Sequence, residues 1–339
     1  MVTMKDIANA CGVSVATVSR ALNGVSSISQ EQTELITRTA KEMGYYPNAA
    51  ARTLKTSRSN NIGILYEDRL DHEYFSSLLN ALRREAEISG YDLTIISRDN
   101  AEYTDNNYYE HACRRNLDGV IVIQADFDST GVIRLATSTI PSVIIDHMYN
   151  GCDCVGTDNS ASVELLVRHA YALGHRKIAF IAGQLGAVGR ERLAGYYKVC
   201  AALGIQVPES YVRKGEFHNA ESCLRILKEL LAEKNSPTCV LCPDDFSCMG
   251  AIGKLQDEGI SVPGDLSLIG YDGITLGQMV HPTLTTYRQN TETIAHEAIR
   301  LLIGAIESPD THQPRQIIAE GILLPGETVA ELPAEKRKI

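Results

Sequence analysis

Hydrophobic positions follow two different spacings, one before residue 60 and one after it. Before residue 60, apolar residues recur three and four positions apart, as in Ile7, Ala8 and Cys11, which predicts amphipathic helices. After residue 60, apolar runs of strand length alternate with longer helical patterns. This alternation predicts an α/β fold with parallel sheets and helical crossovers. Because this part of the chain is longer than one such sheet requires, we expect a two-lobed, doubly wound domain.

The elements predicted after residue 60 are seven strands and five helices. The strands are Ile62–Tyr66, Leu93–Ser97, Gly119–Ile123, Ser142–Ile145, Lys177–Ala182, Thr238–Leu241 and Leu266–Gly270. The helices are Tyr74–Ser89, Ser160–Leu173, Arg190–Leu203, Glu221–Glu233 and Phe246–Glu258.

Cap chemistry predicts three short helices at the N-terminus. The first is framed by a near capping box, Thr3 with Asp6, and by Gly12. Ser14 caps a second helix, Val15–Leu22, after a three-residue turn. A third helix starts at a capping box and carries an apolar stripe; these residues are Ser29, Gln32, Leu35, Ile36 and Met43. Two short helices joined by a tight turn predict a helix-turn-helix.

The second helix carries side chains of the types that suit contacts with DNA bases. Its outer face carries Val15 and Ala16, whose apolar groups suit a thymine methyl, and Arg20, whose guanidinium matches the acceptors of guanine. Ser14, Thr17 and Ser19 suit phosphates. A plain helical hairpin with solvated polar residues would show the same spacing, so this pattern alone leaves both interpretations open.

A short basic segment follows the helical bundle. Asn48 can cap a helix over residues 49–55 that is too short to be stable alone. Its Leu54 has the shape of a wedge for a minor-groove base step, with Arg52 beside it. An ordinary linker whose Leu54 packs on the rest of the protein is the alternative.

Charge is divided unevenly along the chain. The protein has 339 residues and a net charge of −10. Residues 1–60 contain seven Lys or Arg and four acids (7 − 4 = +3), so the remainder carries −13. This asymmetry predicts a basic DNA-binding module joined to an acidic body. Nine cysteines at irregular spacing, with no apolar run of membrane-spanning length and no signal peptide, predict a cytoplasmic protein.

The N-terminal motifs resemble those of the LacI/GalR transcriptional repressors. The matching residues are Met4-Lys5-Asp6-Ile7-Ala8, Gly12-Val13-Ser14, Thr17-Val18-Ser19-Arg20, Asn23, Gly44-Tyr45, Pro47-Asn48, Ala51-Arg52 and Leu54. The resemblance implies a homodimer whose headpieces contact a palindromic double-stranded operator. It makes Val15, Ala16 and Arg20 the base-reading residues and Leu54 the intercalating one. Asn23 and Ala51 join the DNA-binding set because they match the motif.

Polar residues after the predicted strands suggest a ligand cleft, because ligands of open α/β sheets sit beyond the carboxyl ends of the strands. Carboxylates, an arginine and an amide there would suit a neutral polyol, with aromatic faces against its apolar side. The candidate effector residues are Tyr66, Asp68, Tyr74, Phe75, Asp146, Arg192, Asp244, Asp272 and Gln289. Acids after strands also cap helices, and Asp158 and Asp245 are predicted to do so.

The family resemblance extends to this second part of the chain. The segments around Arg192, Asp272 and Gln289 resemble the effector-contacting stretches of the family, although many members carry Asn where this chain has Asp244. The resemblance implies lobes like those of periplasmic sugar-binding proteins, joined by three crossovers. We therefore expect a headpiece at 1–46, a hinge at 47–59 and an effector domain at 60–339. Its lobes would comprise about 60–156 with 289–318, and 157–288 with 319–333.

Other chemistries find little support in the sequence. Cys239 and Cys242 have the spacing of a redox or zinc pair, but no second pair with ligand spacing accompanies them. No nucleotide-binding loop or nucleophile elbow is present, so we expect neither an enzyme nor a cofactor. A chain ending Glu335-Lys336-Arg337-Lys338-Ile339 lacks a leucine-heptad tail, which favours a dimer over a tetramer.

Four interpretations of function remain at this stage. The first is a repressor controlled by a small sugar or glycoside, and a purine-type corepressor would be a variant of it. The second is a catabolite-control regulator activated by a phosphoprotein partner. The third is a stand-alone sugar-binding protein, which the basic headpiece disfavours. The fourth is a sugar-processing enzyme.

Overall fold

The computed structural model describes residues 2–22, 28–45, 58–67, 72–96, 107–184 and 186–333. The chain forms two compact units, Met1–Ser59 and Asn60–Ile339. The predicted hinge helix lies outside the described residues. So do six candidate site residues, Asn23, Asn48, Ala51, Arg52, Leu54 and Asp68.

The described residues of the first unit form three helices, α1 (Met4–Cys11), α2 (Val15–Leu22) and α3 (Gln30–Glu42). Thr3 and Asp6 form a complete capping box at α1, and Gly12 ends this helix with a φ of 66°. The Oγ of Ser14 accepts a 3.1 Å hydrogen bond from the backbone N of Thr17. Because these caps fix both ends of the turn, α1 and α2 form a helix-turn-helix.

The headpiece core is small. Ile7, Val18 and Ile36, one from each helix, are fully buried against one another. Leu35, expected in the apolar stripe of α3, is instead 40% exposed, because it lies one position off the face that holds Ile36. Ser29 accepts from the backbone N of Gln32 at 3.3 Å, but the return bond of the predicted capping box does not form within the described residues.

The second unit is built from parallel sheets. Its strands are β1 (Asn61–Tyr66), β2 (Asp92–Ile96), β3 (Gly119–Ile123), β4 (Ser142–Ile145), β5 (Asp153–Gly156), β6 (Ile178–Ala182), β7 (Val212–Lys214), β8 (Cys239–Leu241), β9 (Ser267–Ile269), β10 (Thr286–Arg288), β11 (Gln316–Ile318) and β12 (Ile322–Leu324). Its helices are α4 (Glu73–Ile88), α5 (Tyr108–Arg114), α6 (Thr130–Ala136), α7 (Asn159–Ala172), α8 (Ala187–Ala202), α9 (Ala220–Leu231), α10 (Asp245–Asp257) and α11 (Thr291–Glu307).

Two sheets define two lobes within this unit. The first lobe holds a six-stranded sheet in the order β11-β5-β4-β3-β1-β2, and the second lobe holds a four-stranded sheet in the order β7-β6-β8-β9. Every strand pair inside these sheets is parallel. Strands β10 and β12 form a separate antiparallel pair. Over its described residues the chain therefore passes between the lobes three times: after β5, before α11 and after β11.

The expected α/β fold class is confirmed. Gly119–Ile123 and Ser142–Ile145 form strands at the predicted bounds, because their apolar runs are buried in the sheet. Sequence reasoning missed β5, whose first residue Asp153 is a buried acid, and it missed α11. Both sheets reverse their strand order beside their central strands, at β1/β3 and β6/β8. Such switch points form the crevice in which doubly wound folds bind ligands.

Candidate functional site

The outer face of α2 presents the residues expected to contact DNA. Val15 is 44% exposed, and Ala16 and Arg20 are also exposed, while Val18 on the opposite face is fully buried. An exposed apolar side chain beside an exposed guanidinium is the arrangement that contacts base edges in a major groove.

The polar residues of this helix lie nearer its first turn. The hydroxyls of Ser14 and Thr17 are 2.8 Å apart and hydrogen-bonded. Ser14 is exposed, whereas Thr17 and Ser19 are half-buried. The hydroxyl of Ser14 already caps the helix by accepting from the backbone N of Thr17, so a contact of this hydroxyl with a phosphate would be made in addition to the cap.

A cleft with a volume of about 220 Å³ lies between the two lobes of the second unit. This is several times the roughly 30 Å³ that one water molecule occupies in the liquid, so the cleft has room for a small organic ligand. The residues that line it are Tyr74, Gln124, Ala125, Phe127, Asp146, Gln184, Gly186, Ala187, Val188, Gly189, Arg192, Phe217, His218, Asp272 and Gln289.

Asp146 supplies a carboxylate from the first lobe. It follows β4 with a left-handed φ of 63°, a conformation that Asp adopts more easily than most residues. Its Oδ2 accepts a 3.1 Å hydrogen bond from the Tyr74 hydroxyl, and its buried Oδ1 has no partner within the described residues. Burial raises the pKa of Asp146, although Tyr74 and the charge of Arg192 oppose this shift.

Arg192 supplies the cation from the second lobe. It is only 8% exposed, and its Nε donates to Oδ1 of Asn159 at 3.0 Å. Its guanidinium stacks 3.4 Å above the centre of the Tyr271 ring, a cation–π contact. Among the described residues no carboxylate lies within 4.0 Å of this guanidinium. A buried arginine without an ion pair has donor capacity left for a ligand.

Asp272 faces the cleft from the end of β9. Its φ is 112°, and burial raises the pKa of its carboxyl to about 7, against the opposing charge of Arg192. The Nε2 of Gln289 donates to Oδ1 of Asp272 at 2.8 Å. At neutral pH this carboxyl therefore exchanges between a form that accepts hydrogen bonds and a form that also donates one.

The N-terminal and C-terminal parts of the sequence match different families. Residues 3–48 match the bacterial regulatory proteins of the lacI family, and residues 167–329 match the periplasmic binding protein-like domain. The HTH-type transcriptional repressor PurR of Erwinia tasmaniensis is 32% identical over 313 residues, covering 91% of each chain. PurR of Escherichia coli O139:H28 is 30% identical over 98% of both chains.

The chain belongs to the LacI family. It is a DNA-binding transcriptional repressor of that family, as the lacI-type headpiece and these relatives show.

Two solved structures resemble this LacI-family chain over nearly its whole length. The lac repressor dimer bound to operator and the anti-inducer ONPF has a TM-score of 0.82 and 26% identity, over 97% of this chain and 99% of that one. The complex of the transcriptional regulator CelR with cellobiose has a TM-score of 0.72 and 25% identity, over 97% of this chain and all of that one.

Asp244 does not line the cleft of this repressor. Its two oxygens accept from the backbone N and the hydroxyl of Ser247, both at 2.8 Å, so it caps α10. It also accepts from the backbone N of His218 at 2.9 Å. Burial alone would raise the pKa of Asp244, but His218 and Ser247 together lower it. The predicted caps are thus right for Asp158 and wrong for Asp245, which is the first residue of α10, because this helix begins one residue earlier than predicted.

Tyr66 and Phe75 also differ from expectation. Both are almost fully buried, and their rings stack with centroids 3.7 Å apart inside the core of the first lobe. Neither lines the cleft. Tyr66 is the last residue of β1 and its ring packs in this core, while consecutive positions of α4 direct Tyr74 toward Asp146 and Phe75 into the core.

Sequence reasoning missed several residues that line the cleft. Phe217 and His218 follow the short strand β7, which was not predicted, and Gln124 directly follows β3. The ring of Phe217 lies against Gly183, where an added Cβ would come within 2.5 Å of it. The rule that ligands lie beyond strand ends points to Gln124, whereas Phe217 is recognisable only from the folded structure.

The cysteine pair is part of the core. Cys239 and Cys242 are buried, and burial raises the pKa of Cys239. Within the described ranges, no group of three or more His, Cys, Asp or Glu side chains could hold a metal ion. The helices described here include none that is long and apolar enough to cross a bilayer.

Proposed function

We propose that this repressor binds a palindromic operator as a dimer and is controlled by a small sugar or glycoside in the cleft between its lobes. The observation that carries this proposal is the convergence of Asp146 and Tyr74 from one lobe with Arg192 and Asp272 from the other on one cleft. Sequence reasoning had proposed the same four residues as effector contacts.

The chemistry of the cleft suits a neutral polyol. Each sugar hydroxyl both donates and accepts, so it can bridge a carboxylate such as Asp146 and a donor such as Arg192. The opposite charges of these groups largely balance, which disfavours a strongly charged ligand. The rings of Phe127 and Phe217 offer apolar faces to the ring carbons of a sugar. The CelR–cellobiose complex is a relative of similar fold with a sugar ligand.

A purine-type corepressor is the second candidate. The relatives named PurR favour it, since they cover 91% or more of this chain. A planar base could stack on Phe217 or Tyr74 while Arg192 and Asp272 bind its polar edge. The two candidates differ in the shape of the ligand, because a planar ring needs one broad aromatic face and a polyol needs spread hydrogen bonds.

Control of DNA binding requires that the effector bind two lobe arrangements with different affinities. The walls of this cleft come from both lobes, so a change in their separation alters the distances to any bound ligand. Dimerisation is supported by exposed apolar residues around α10. Phe246 lies on this helix, Leu276 lies on the turn Thr275–Gln278, and Met279 directly follows that turn; all three are exposed.

A thermal-shift screen of the full chain tests the effector proposal. The ligands would be mono- and disaccharides, sugar phosphates and purines, each tested with the parent protein and with Arg192→Ala. A ligand at about one hundred times its Kd adds roughly 2.7 kcal/mol of stability, which raises Tm measurably. We expect a sugar to raise the Tm of the parent protein only. A shift with purines alone would favour the second candidate, and no shift with any ligand would contradict a small-molecule effector.

A further inference from the structure

The strand order places the lobe crossovers at one side of the cleft. Strand β5 and strand β11, after which the chain leaves the first lobe, are neighbours at one edge of the six-stranded sheet. Strand β1 lies three steps away, which is about 14 Å at roughly 4.8 Å per step. In the second lobe, β7 forms the edge opposite β9. The ends of β1 and β7 therefore lie far from the crossovers.

His72 and His218 meet at this far side. His72 stands at the start of α4, after β1, and His218 follows β7. Their imidazole rings stack with centroids 4.1 Å apart and planes inclined by 14°. When the lobes open about the crossovers, the points farthest from the crossovers separate most. A contact at the far side, such as this stack, therefore resists opening more effectively than a similar contact near the crossovers.

The orientation of the His72 ring is fixed within the first lobe. Its Nδ1 accepts from the backbone N of Phe75 at 3.3 Å, which places the ring proton on Nε2. The Nε2 atom lies 2.9 Å from the Tyr66 hydroxyl and 3.2 Å from Oε1 of Gln124. Gln124 lines the cleft.

His218 is held by the second lobe in a comparable way. Its φ is 55°, and its backbone N donates to the buried carboxylate of Asp244. His218 lines the cleft as well. Each ring of the stack is thus positioned by its own lobe. Both rings are connected to the cleft: His72 contacts the cleft-lining residue Gln124, and His218 itself lines the cleft.

The residue after His72 makes a second contact between the lobes. The Glu73 carboxylate accepts from the backbone N of Thr275 at 2.5 Å and from the backbone N of Leu276 at 3.4 Å. These two amides begin the short helical turn Thr275–Gln278 of the second lobe. Glu73 therefore supplies the acceptor that the first amides of such a turn require.

We propose that His72 and Glu73 form a latch that holds the two lobes together, His72 through the ring of His218 on the side opposite the crossovers and Glu73 through the amides of Thr275 and Leu276. His72 acts as a positioning residue, because it links Gln124 and His218 of the cleft walls. Its part in regulation rests on the proposed function, since a ligand that contacts Gln124 or His218 would stabilise or release the latch. The latch itself can be tested without any ligand.

Hydrogen–deuterium exchange of the full-length, ligand-free protein measures the latch through the amides of Thr275 and Leu276. His72→Asn removes the ring but keeps an N-cap acceptor, whereas His72→Phe keeps a ring that can stack. Glu73→Ala gives the exchange rate of the released amides. His296→Asn is the control, because His296 pairs with Glu85 inside the first lobe at 3.0 Å.

We expect His72→Asn to speed exchange at Thr275 and Leu276 by about three- to tenfold, the factor that one aromatic pair contributes. His72→Phe and His296→Asn should stay close to the parent rate. Unchanged exchange in His72→Asn would overturn the latch. An equal rise at the core amides of Gly119–Ile123 would also overturn it, since that pattern indicates general destabilisation.

Discussion

The Nε2 of Gln289 donates a 2.8 Å hydrogen bond to Oδ1 of Asp272, and the Oε1 of the same amide accepts from Oγ1 of Thr157 at 3.0 Å. Gln289 lies just before α11 and Thr157 just after β5, so both stand where the chain crosses between lobes. The hydrogen bonds from Asp272 to Gln289 and from Gln289 to Thr157 therefore link the cleft to two of the three crossovers. A ligand that binds Asp272 affects this link, because it either competes with Gln289 for the carboxylate or strengthens their hydrogen bond.

Arg192→Ala should weaken effector binding by about ten- to a hundredfold, because one hydrogen bond to a charged group contributes roughly 1.5–3 kcal/mol. Operator affinity without effector should not change. Titration calorimetry with the ligand found in the screen measures the loss. Lys198→Ala is the matched control, because Lys198 is an exposed cation on the same helix whose partner Glu164 lies in the same lobe. Equal losses in both variants would exclude a direct contact from Arg192.

Asp272 should make stability depend on pH. Burial raises the pKa of this carboxyl from 3.8 to about 7, so between these values the folded protein binds more protons than the unfolded chain. The contribution of this group is then fully present at low pH and is lost as pH rises through about 7. Urea unfolding at pH 5 and pH 8 measures this loss.

The matched variant for this test is Asp272→Asn, which mimics the protonated carboxyl. It should lose less stability than the parent between pH 5 and pH 8, because the site no longer titrates. Parallel pH profiles for the two proteins would mean that Asp272 is ionised across this range.

Gly183→Ala should change the cleft more than it changes stability. An added Cβ would lie 2.3 Å from the tip of the Phe217 ring, and that ring can swing aside into the cleft. We expect weaker effector binding with a small change in Tm. Gly253→Ala is the control, since nothing lies within 4 Å of its added Cβ. Unaltered effector affinity in Gly183→Ala would show that Phe217 does not shape the ligand site.

Asp244→Ala should lower the free energy of unfolding by about 2–4 kcal/mol, because it removes a helix cap and leaves the half-buried backbone N–H of His218 without its acceptor. Asp158→Ala removes an exposed cap with one hydrogen bond to Ala161, so it should cost only about 1 kcal/mol. Chemical unfolding of both variants measures the difference. Equal costs would argue against the anchoring role of Asp244.

Much of the fold could be predicted because buried strands appear in the sequence as runs of apolar residues. Strands such as Gly119–Ile123 are apolar at nearly every position, as strands covered on both faces must be. Strand β5 was not recognisable, since it begins with Asp153. Its carboxylate is satisfied by His312 Nε2 at 2.6 Å and by the backbone N of Arg315 at 2.9 Å, both more than 150 residues away.

The candidate site was predictable where a strand end carries the functional group. Asp146 lies directly after β4 and Asp272 lies three residues after the end of β9, so the strand-end rule finds them. The same rule cannot separate a cleft residue from a cap, which is why Asp244 was placed in the cleft. His72 and His218 are joined only by the closure of the two lobes, and no local pattern carries that information.

Arg20→Ala should lower affinity for a specific operator by about 1–3 kcal/mol and leave affinity for random DNA almost unchanged. The reason is that a guanidinium bound to a guanine edge distinguishes sequences, whereas a phosphate contact does not. Electrophoretic mobility shifts at one fixed salt concentration measure both affinities. Arg38→Ala, exposed on α3, provides the comparison. Equal losses on both DNAs would make Arg20 a phosphate contact.

Selection from a random pool of duplex DNA by the full-length protein tests the central claim most directly. A dimer that presents two copies of α2 should enrich sites with two-fold symmetry and a constant spacing between half-sites. The symmetry should persist with Arg20→Ala, while the preference at one base pair of each half-site weakens. Enrichment of sites without symmetry, or no enrichment at all, would contradict a dimeric repressor that reads DNA through this helix.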